Sequence, residues 1–372
     1  MDNKKILLTL GRLDQSILEF LALNHAILTI PFKDCCTLLL KRLPVADVAL
    51  LGQFNDLTQA LRVIECIKVE EPLLPIIAYM PELPEQDKWL LIEKGLDWFF
   101  SSPLNLLELR AVMKRENRRF RFLRRYEQQM NQVEVEIQVA RQIMNHLLPK
   151  KGCFQNIEVQ WIQRPHSLLG GDMFYYYDLP DEKLALFLID VSGHGLTSSM
   201  VTMALRSLLK GVALKVQEPI QVMTELNRHI CDLFMNLPET IYAACTYCIV
   251  DRLNQCIHYS NAGNPDACLF GTNGTVQKLK TENMALGIYP DLEFQKKTIR
   301  LQEQQRLALF TDGIYDKRGS LESKFALRDQ VIQSIALGRD LSLAVLCEQL
   351  EKSLDKSLQH SEDDYSLLLV QW

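Results

Sequence analysis

No stretch of this 372-residue chain strings together the roughly 20 apolar residues that a membrane-spanning helix needs, so no membrane role is expected. Excess basic charge is missing too. With 41 Lys and Arg against 46 Asp and Glu, the formal net charge is −5, and bulk electrostatics give no case for nucleic acid. A disulfide framework is absent: the ten cysteines show no framework spacing. The one C-x-x-C, Cys245 and Cys248, falls in the apolar run Ala243–Val250, which reads as a buried strand. Residues three apart on a strand point to opposite faces, so reduced core cysteines are expected there rather than a zinc or redox pair. Internal repeats and low-complexity segments are also lacking. The opening Met1–Leu8 is a short apolar run without a cleavage site and reads as a first strand, not a signal peptide. The expectation is a cytoplasmic protein.

What is present divides into three segments. In residues 1–110, apolar runs at Ile6–Leu10, Val45–Leu51 and Leu73–Ala78 alternate with helical patterns at Gln59–Lys68 and Gln86–Lys94. That alternation predicts a small parallel α/β domain. Residues 111–149 belong to a stretch, Leu107–Leu148, without glycine or proline. There Leu123, Tyr126, Met130, Val133, Ile137, Ala140, Met144 and Leu147 follow the 3-4 spacing of a coiled coil, which predicts a long linker helix pairing with its copy in a homodimer over 123–147. Pro149 stops it. Upstream, the arginines and lysine from Arg110 to Arg125 form a basic stretch that reads as a solvated helix face or a contact for an acidic partner. Residues 150–372 mix strands with long helices, which predicts an α+β sheet core with helices outside.

The chemistry concentrates in the third segment. The aromatic run Met173–Tyr177 and the apolar run Leu184–Ile189 flank the turn signal Pro180-Asp181-Glu182-Lys183 and read as a hairpin. Antiparallel pairing then sets Asp172 beside Asp190 at one sheet edge. Like charges so placed are costly unless a cation lies between them. Asp312 follows the strand Arg306–Thr311, and Asp363-Asp364 precedes the strand Tyr365–Val370. Carboxylates without a convincing His or Cys set suit Mg²⁺ or Mn²⁺, and four aspartates formally balance two divalent ions. A two-metal site suits phosphate-ester hydrolysis. The nucleophile is then a water bridging the metals, with no catalytic side chain. Gly170, Gly171, Gly193 and Gly195 allow close backbone approach to ions or phosphate, and His194 either contacts substrate phosphate or hydrogen-bonds the loop. Ser192, Ser198 and Ser199 lack the elbow and paired base of a serine nucleophile.

Gly170-Gly171-Asp172, Asp190-Val191-Ser192-Gly193-His194-Gly195, Asn261-Ala262-Gly263-Asn264-Pro265, Leu286-Gly287-Ile288, Phe310-Thr311-Asp312-Gly313 and Asp363-Asp364-Tyr365-Ser366 occur in that order. The set resembles the SpoIIE/RsbU branch of the metal-dependent serine/threonine protein phosphatases (PPM family), over roughly Glu134–Trp372. The resemblance implies a β-sandwich flanked by helices and two Mn²⁺ or Mg²⁺ ions. It places Asp172, Asp190, the Val191 carbonyl, Asp312 and Asp363 around the metals, with Asp363 preferred to Asp364. The implied substrate is phosphoserine or phosphothreonine on a small anti-sigma-factor antagonist of the STAS type, and Glu136–Pro149 would be a regulatory, dimerising switch. Tyr175, Asn264 and Ser366 depart from the family pattern, where Asp, His and Thr are common.

The first segment resembles a response-regulator receiver stripped of its chemistry. Gly52 stands where the strand Asp47–Leu51 would lead to a phosphoaccepting Asp, Thr9-Leu10-Gly11 lacks the acidic pair, Met80 replaces Ser/Thr, and Ser101-Ser102-Pro103 lacks the Lys. The expectation is a pseudo-receiver without a phosphoacceptor that binds a regulator and acts through the linker helix. The competing reading is a non-catalytic adaptor similar to RssB, docking a sigma factor or signalling protein. Tight metal binding at the aspartates distinguishes the two.

Overall fold

The computed structural model describes residues 5–10, 13–23, 25–30, 46–53, 56–80, 83–154, 156–193, 195–234, 241–314, 321–358 and 363–372. The chain forms two compact units, Met1–Val135 and Glu136–Trp372. Among the described residues no helix is long and apolar enough to cross a membrane.

The first unit is built on β1 (Lys5–Leu10), β2 (His25–Ile30), β3 (Val48–Leu51), β4 (Ile76–Tyr79) and β5 (Trp98–Phe100). All neighbours are parallel, in the order β2-β1-β3-β4-β5. This is one of the two common doubly wound orders. Helices cover both faces. On one, Leu8, Leu10, Ala49, Leu51 and Ile76 meet Val63, Ile64 and Ile67 of α2 (Leu57–Glu70). On the other, Leu7, Val48, Leu50 and Ile77 meet Ile17 and Leu21 of α1 (Gln15–Ala22). Double coverage explains why these strands read as unbroken apolar runs rather than alternating ones. Asp56 caps α2 by accepting from the Thr58 N–H at 2.9 Å, and α3 spans Glu85–Glu93.

The long helix α4 runs Leu106–Leu147 and crosses the division between the units. Its basic stretch is partly neutralised: Arg121 bonds Asp47 at 2.9 Å, and Arg115 bonds the buried Glu116 at 2.7 Å. Asp47 lies far away in sequence, so its neutralising charge could not be counted along the chain.

The second unit packs two antiparallel sheets face to face. One has the order β14-β11-β10-β9-β8 and the other β13-β12-β15-β16-β7-β6. The first comprises β8 (Asp172–Leu179), β9 (Lys183–Val191), β10 (Ala243–Asp251), β11 (Cys256–Ala262) and β14 (Lys297–Arg300). The second comprises β6 (Gly152–Phe154), β7 (Ile157–Arg164), β12 (Ala267–Phe270), β13 (Val276–Leu279), β15 (Arg306–Phe310) and β16 (Tyr365–Gln371). Between them lie Phe174, Leu184, Leu186, Leu188, Leu309 and Leu368. Outside the first sheet, α5 (Leu196–Lys215) and α6 (Pro219–Phe234) cover Ala185, Phe187 and Ile189. Outside the second, α7 (Leu321–Leu337) and α8 (Leu343–Ser357) cover Ala308 and Leu369. This is the helix-flanked sandwich implied by the resemblance. Alternate β9 residues thus feed two different cores, and a large apolar side chain fully buried this way contributes about 1.5–3 kcal/mol. Cys245 and Cys248 follow the same rule: they point into opposite cores and are free thiols.

Candidate metal centre

The hairpin pairs Asp172 directly with Asp190. Its turn carries Asp181 and Glu182 at φ of 60° and 53°, the positive angles that suit a tight hairpin turn. The second sheet supplies the other acids. β15 and β16 are antiparallel, with Phe310 opposite Leu367, so Asp312, just after β15, and Asp363, just before β16, leave the sheet at the same edge. Thr311 ties the sheets together. Its hydroxyl donates to Asp172 Oδ2 at 2.8 Å and accepts from the Ser366 N–H at 2.8 Å.

The electrostatics of this edge are severe. Asp172 is 2% exposed. Its carboxyl is pushed well above the usual range, first by burial and then by the charge of Asp364. Asp190 is raised by burial and by the charges of Asp172, Asp312 and Asp363, and Asp312 lies within hydrogen-bonding reach of it. Asp172 Oδ1 is buried without a hydrogen-bond partner. Buried polar atoms in folded proteins nearly always have partners, and a buried carboxylate needs a counter-charge. The donor set at this edge is carboxylate oxygen, which fits a hard divalent cation such as Mg²⁺ or Mn²⁺.

Asp363 and Asp364 have different tasks. Asp364 is 4% exposed and accepts from the His166 and Gly171 N–H groups, each at 2.6 Å. It therefore clamps the loop that leads into β8. Asp363 is half-buried, and its charge acts on both Asp172 and Asp190. Gly171 must be glycine for a steric reason: a Cβ there would meet the Val191 carbonyl oxygen at 2.8 Å. That carbonyl lies at the same edge as the two hairpin aspartates. Gly193 and Gly195 have φ of +82° and +91°, and His194 lies outside the described residues.

Several supporting residues escaped the sequence reading. The Ser199 hydroxyl donates to the Gly170 carbonyl at 2.9 Å, and Thr202 donates to that of Gly171 at 2.8 Å. Gln163 donates to the Asp172 carbonyl at 2.8 Å. Ser198, Ser199 and Thr202 share the first turns of α5, a hydroxyl cluster that signals helix–loop bonding rather than nucleophiles. Ser192 is likewise engaged, accepting from the Tyr242 N–H at 3.0 Å. Two of the positions that depart from the family pattern, Tyr175 and Asn264, make side-chain contacts. Tyr175 lies beneath the Arg206 guanidinium, 4.8 Å from its ring centre. Asn264 donates to the Leu188 carbonyl at 3.0 Å and to Thr246 at 3.1 Å.

Behind the aspartates is a cavity of about 90 Å³, lined by Arg141, Met144 and Leu147 of α4 and by Leu168, Asp172 and Arg206. Met144 and Leu147 are the last two positions of the heptad pattern, so that end of the pattern is engaged within the second unit. Tyr126, Met130 and Val133, earlier in the pattern, are about half exposed.

The chain is 31% identical over 236 residues to the phosphoserine phosphatase RsbP of Bacillus subtilis, covering 63% of this chain and 57% of RsbP. To phosphoserine phosphatase RsbU of the same organism it is 21% identical over 243 residues, covering 64% of this chain and 70% of RsbU. The solved SiaA-PP2C domain of Pseudomonas aeruginosa superposes with a TM-score of 0.55 at 20% identity, over 65% of this chain and 98% of that domain; the likeness establishes a shared fold. The sequence profile described as stage II sporulation protein E (SpoIIE) matches residues 180–372. That match takes in just over half of the chain, which therefore belongs to the SpoIIE family.

Proposed function

We propose that the second unit is a metal-dependent protein serine/threonine phosphatase acting on a small regulatory phosphoprotein, an anti-sigma-factor antagonist of the STAS type. The observation that carries this reading is the buried carboxylate cluster with Asp172 Oδ1 unpartnered. Asp172, Asp190, Asp312, Asp363 and the Val191 carbonyl would hold two Mn²⁺ or Mg²⁺ ions. Bound there, the ions would neutralise phosphoryl charge and acidify water. The protein's own share is positioning. Thr311 fixes the Asp172 carboxylate by bonding Oδ2. Asp364, Ser199 and Thr202 hold the Gly170-Gly171 loop, which keeps the backbone close to the cluster. RsbP and RsbU are named phosphoserine phosphatases, which supports the substrate class.

The first unit serves in this reading as a receiver-like domain that controls the phosphatase without phosphorylation. The strand order β2-β1-β3-β4-β5 supports it. Signal would pass through α4, dimerised over 123–147, in a cytoplasmic partner-switching pathway. The domain limits proposed are 1–110, 111–149 and 150–372.

The test is Mn²⁺-dependent phosphate release from a phosphoserine protein or an aryl phosphate, wild type against Asp190→Asn. Equal rates in the two proteins would sink the assignment. Tight Mn²⁺ binding by calorimetry separates a phosphatase from an adaptor. For the linker, Met130→Asp with Val133→Asp, two half-exposed positions of the heptad pattern, should halve the mass in light scattering and alter turnover; unchanged mass and rate would remove the dimer.

A further inference from the structure

We infer that Asp251, Cys256 and His258 form a second cation site, for a thiophilic divalent ion of the Zn²⁺ class, remote from the aspartate cluster. The three side chains offer ligand atoms that all lie within 4.8 Å of one another. Topology explains why. Asp251 ends β10 and pairs directly with Cys256, the first residue of β11. His258 is two residues on and so shares the face of Cys256.

One ligand edge, Cys256 to His258, matches tetrahedral coordination. Cys256 Sγ and His258 Nε2 are 3.3 Å apart. Zn–S and Zn–N bonds of their usual lengths subtend a ligand–ligand edge of about 3.5 Å at a tetrahedral angle. The other ring nitrogen of His258 lies 2.8 Å from Thr298 Oγ1. With Nδ1–H donating to that hydroxyl, Nε2 is left with its lone pair, the arrangement that outer partners of metal-bound histidines commonly favour. Asp251 is 1% exposed and Cys256 8%, so both are shielded from bulk water. Asp251 already accepts from the Asn254 N–H and Nδ2, each at 2.9 Å, and from Lys183 Nζ at 3.5 Å. A carboxylate has about four acceptor positions, so one is left for an ion. Burial and the neighbouring Asp251 push the Cys256 thiol up, so ion binding would release its proton to solvent. The site is separate from the first. Ala244 pairs with Asp190 and Asp251 with Lys183, which puts the two ends about 23 Å apart along β10.

The experiment is Co²⁺ titration of the chelator-treated full chain, reading the thiolate-to-cobalt charge-transfer band, followed by displacement with Zn²⁺. The expected result is one equivalent of band, lost in Cys256→Ser, kept in Asp190→Asn, and abolished by Zn²⁺. Carboxylate sites give no such band. His258→Ala retains the thiol and should weaken Co²⁺ binding by more than about 10-fold, the lower bound set by losing even an outer partner. No band in the wild type, a band surviving Cys256→Ser, or unchanged affinity in His258→Ala would each overturn the site.

Discussion

The two units treat the ends of their strands in opposite ways. In Glu136–Trp372, the ends of β8, β9, β15 and β16 bring Asp172, Asp190, Asp312 and Asp363 to one edge, where burial and mutual repulsion raise the first two. In Met1–Val135, the carboxyl ends of the parallel strands carry Leu10, Gly52 and Met80 instead. Leu10 and Met80 are buried, and the Gly52 N–H donates to the Leu10 carbonyl at 2.7 Å. The carboxyl end of an open parallel sheet is where ligands ordinarily bind, yet the described residues at these strand ends are apolar or glycine. One unit carries clustered carboxylates at its strand ends, and the other carries apolar residues and a glycine there. Buried charge kept against the cost of that burial and repulsion is a signature of chemistry.

The sharpest break of that contrast is Asp190→Asn. It should lower phosphate release by about 10²–10³-fold, the scale of losing a key electrostatic group, while raising the melting temperature of the chelated protein. A fall in both would mean that Asp190 is structural and that the two units do not differ in kind.

Next in size is the division of labour between Asp363 and Asp364. Asp364→Ala removes a charged acceptor from two N–H groups and should cost about 1.5–3 kcal/mol in urea unfolding. Through the loosened loop it should also weaken Mn²⁺ binding about 10–100-fold. Asp363→Asn should weaken Mn²⁺ binding with little loss of stability. The reverse pattern would exchange their roles.

The pH dependence is a smaller effect with a definite sign. The folded carboxyls of Asp172 and Asp190 are raised above their unfolded values. The folded state therefore binds more protons, and stability falls as pH rises from about 4 upward. Chelated protein should melt lower at neutral pH than at mildly acidic pH, and saturating Mn²⁺ should flatten the slope. Equal slopes with and without Mn²⁺ would detach the cluster from metal. The smallest expectation concerns the first unit: a small acyl-phosphate donor should leave no acid-labile phosphate on the chain by mass spectrometry. Phosphate found on Asp14 or Asp56 would erase the contrast from the other side.

Much of this was readable along the chain. The turn at 180–183 between an aromatic and an apolar run sufficed to set Asp172 opposite Asp190, because antiparallel pairing across a short turn has essentially one register. The unbroken helical pattern after Leu106 was equally plain. The task of Asp364 was not, since its partners His166 and Gly171 are almost two hundred residues away. Nor was the fate of Met144 and Leu147: heptad spacing marks a face as apolar but does not name what covers it, and both line the cavity behind Asp172. His194, a candidate on sequence grounds, lies outside the described residues.

The sequence by itself determined the hairpin, its paired aspartates and the ordered motifs, because each depends on neighbours within a few dozen residues and on the two-residue period of a strand. Those motifs named Asp312 and Asp363 as candidates, but only the tertiary structure supplied the geometry by which they join the pair. Stacking the two sheets over Phe174, Leu188 and Leu368 brings strand ends distant in sequence to a common edge. The same stacking buries Asp172 and leaves its Oδ1 without a partner, turning two adjacent acids into a site that calls for a cation.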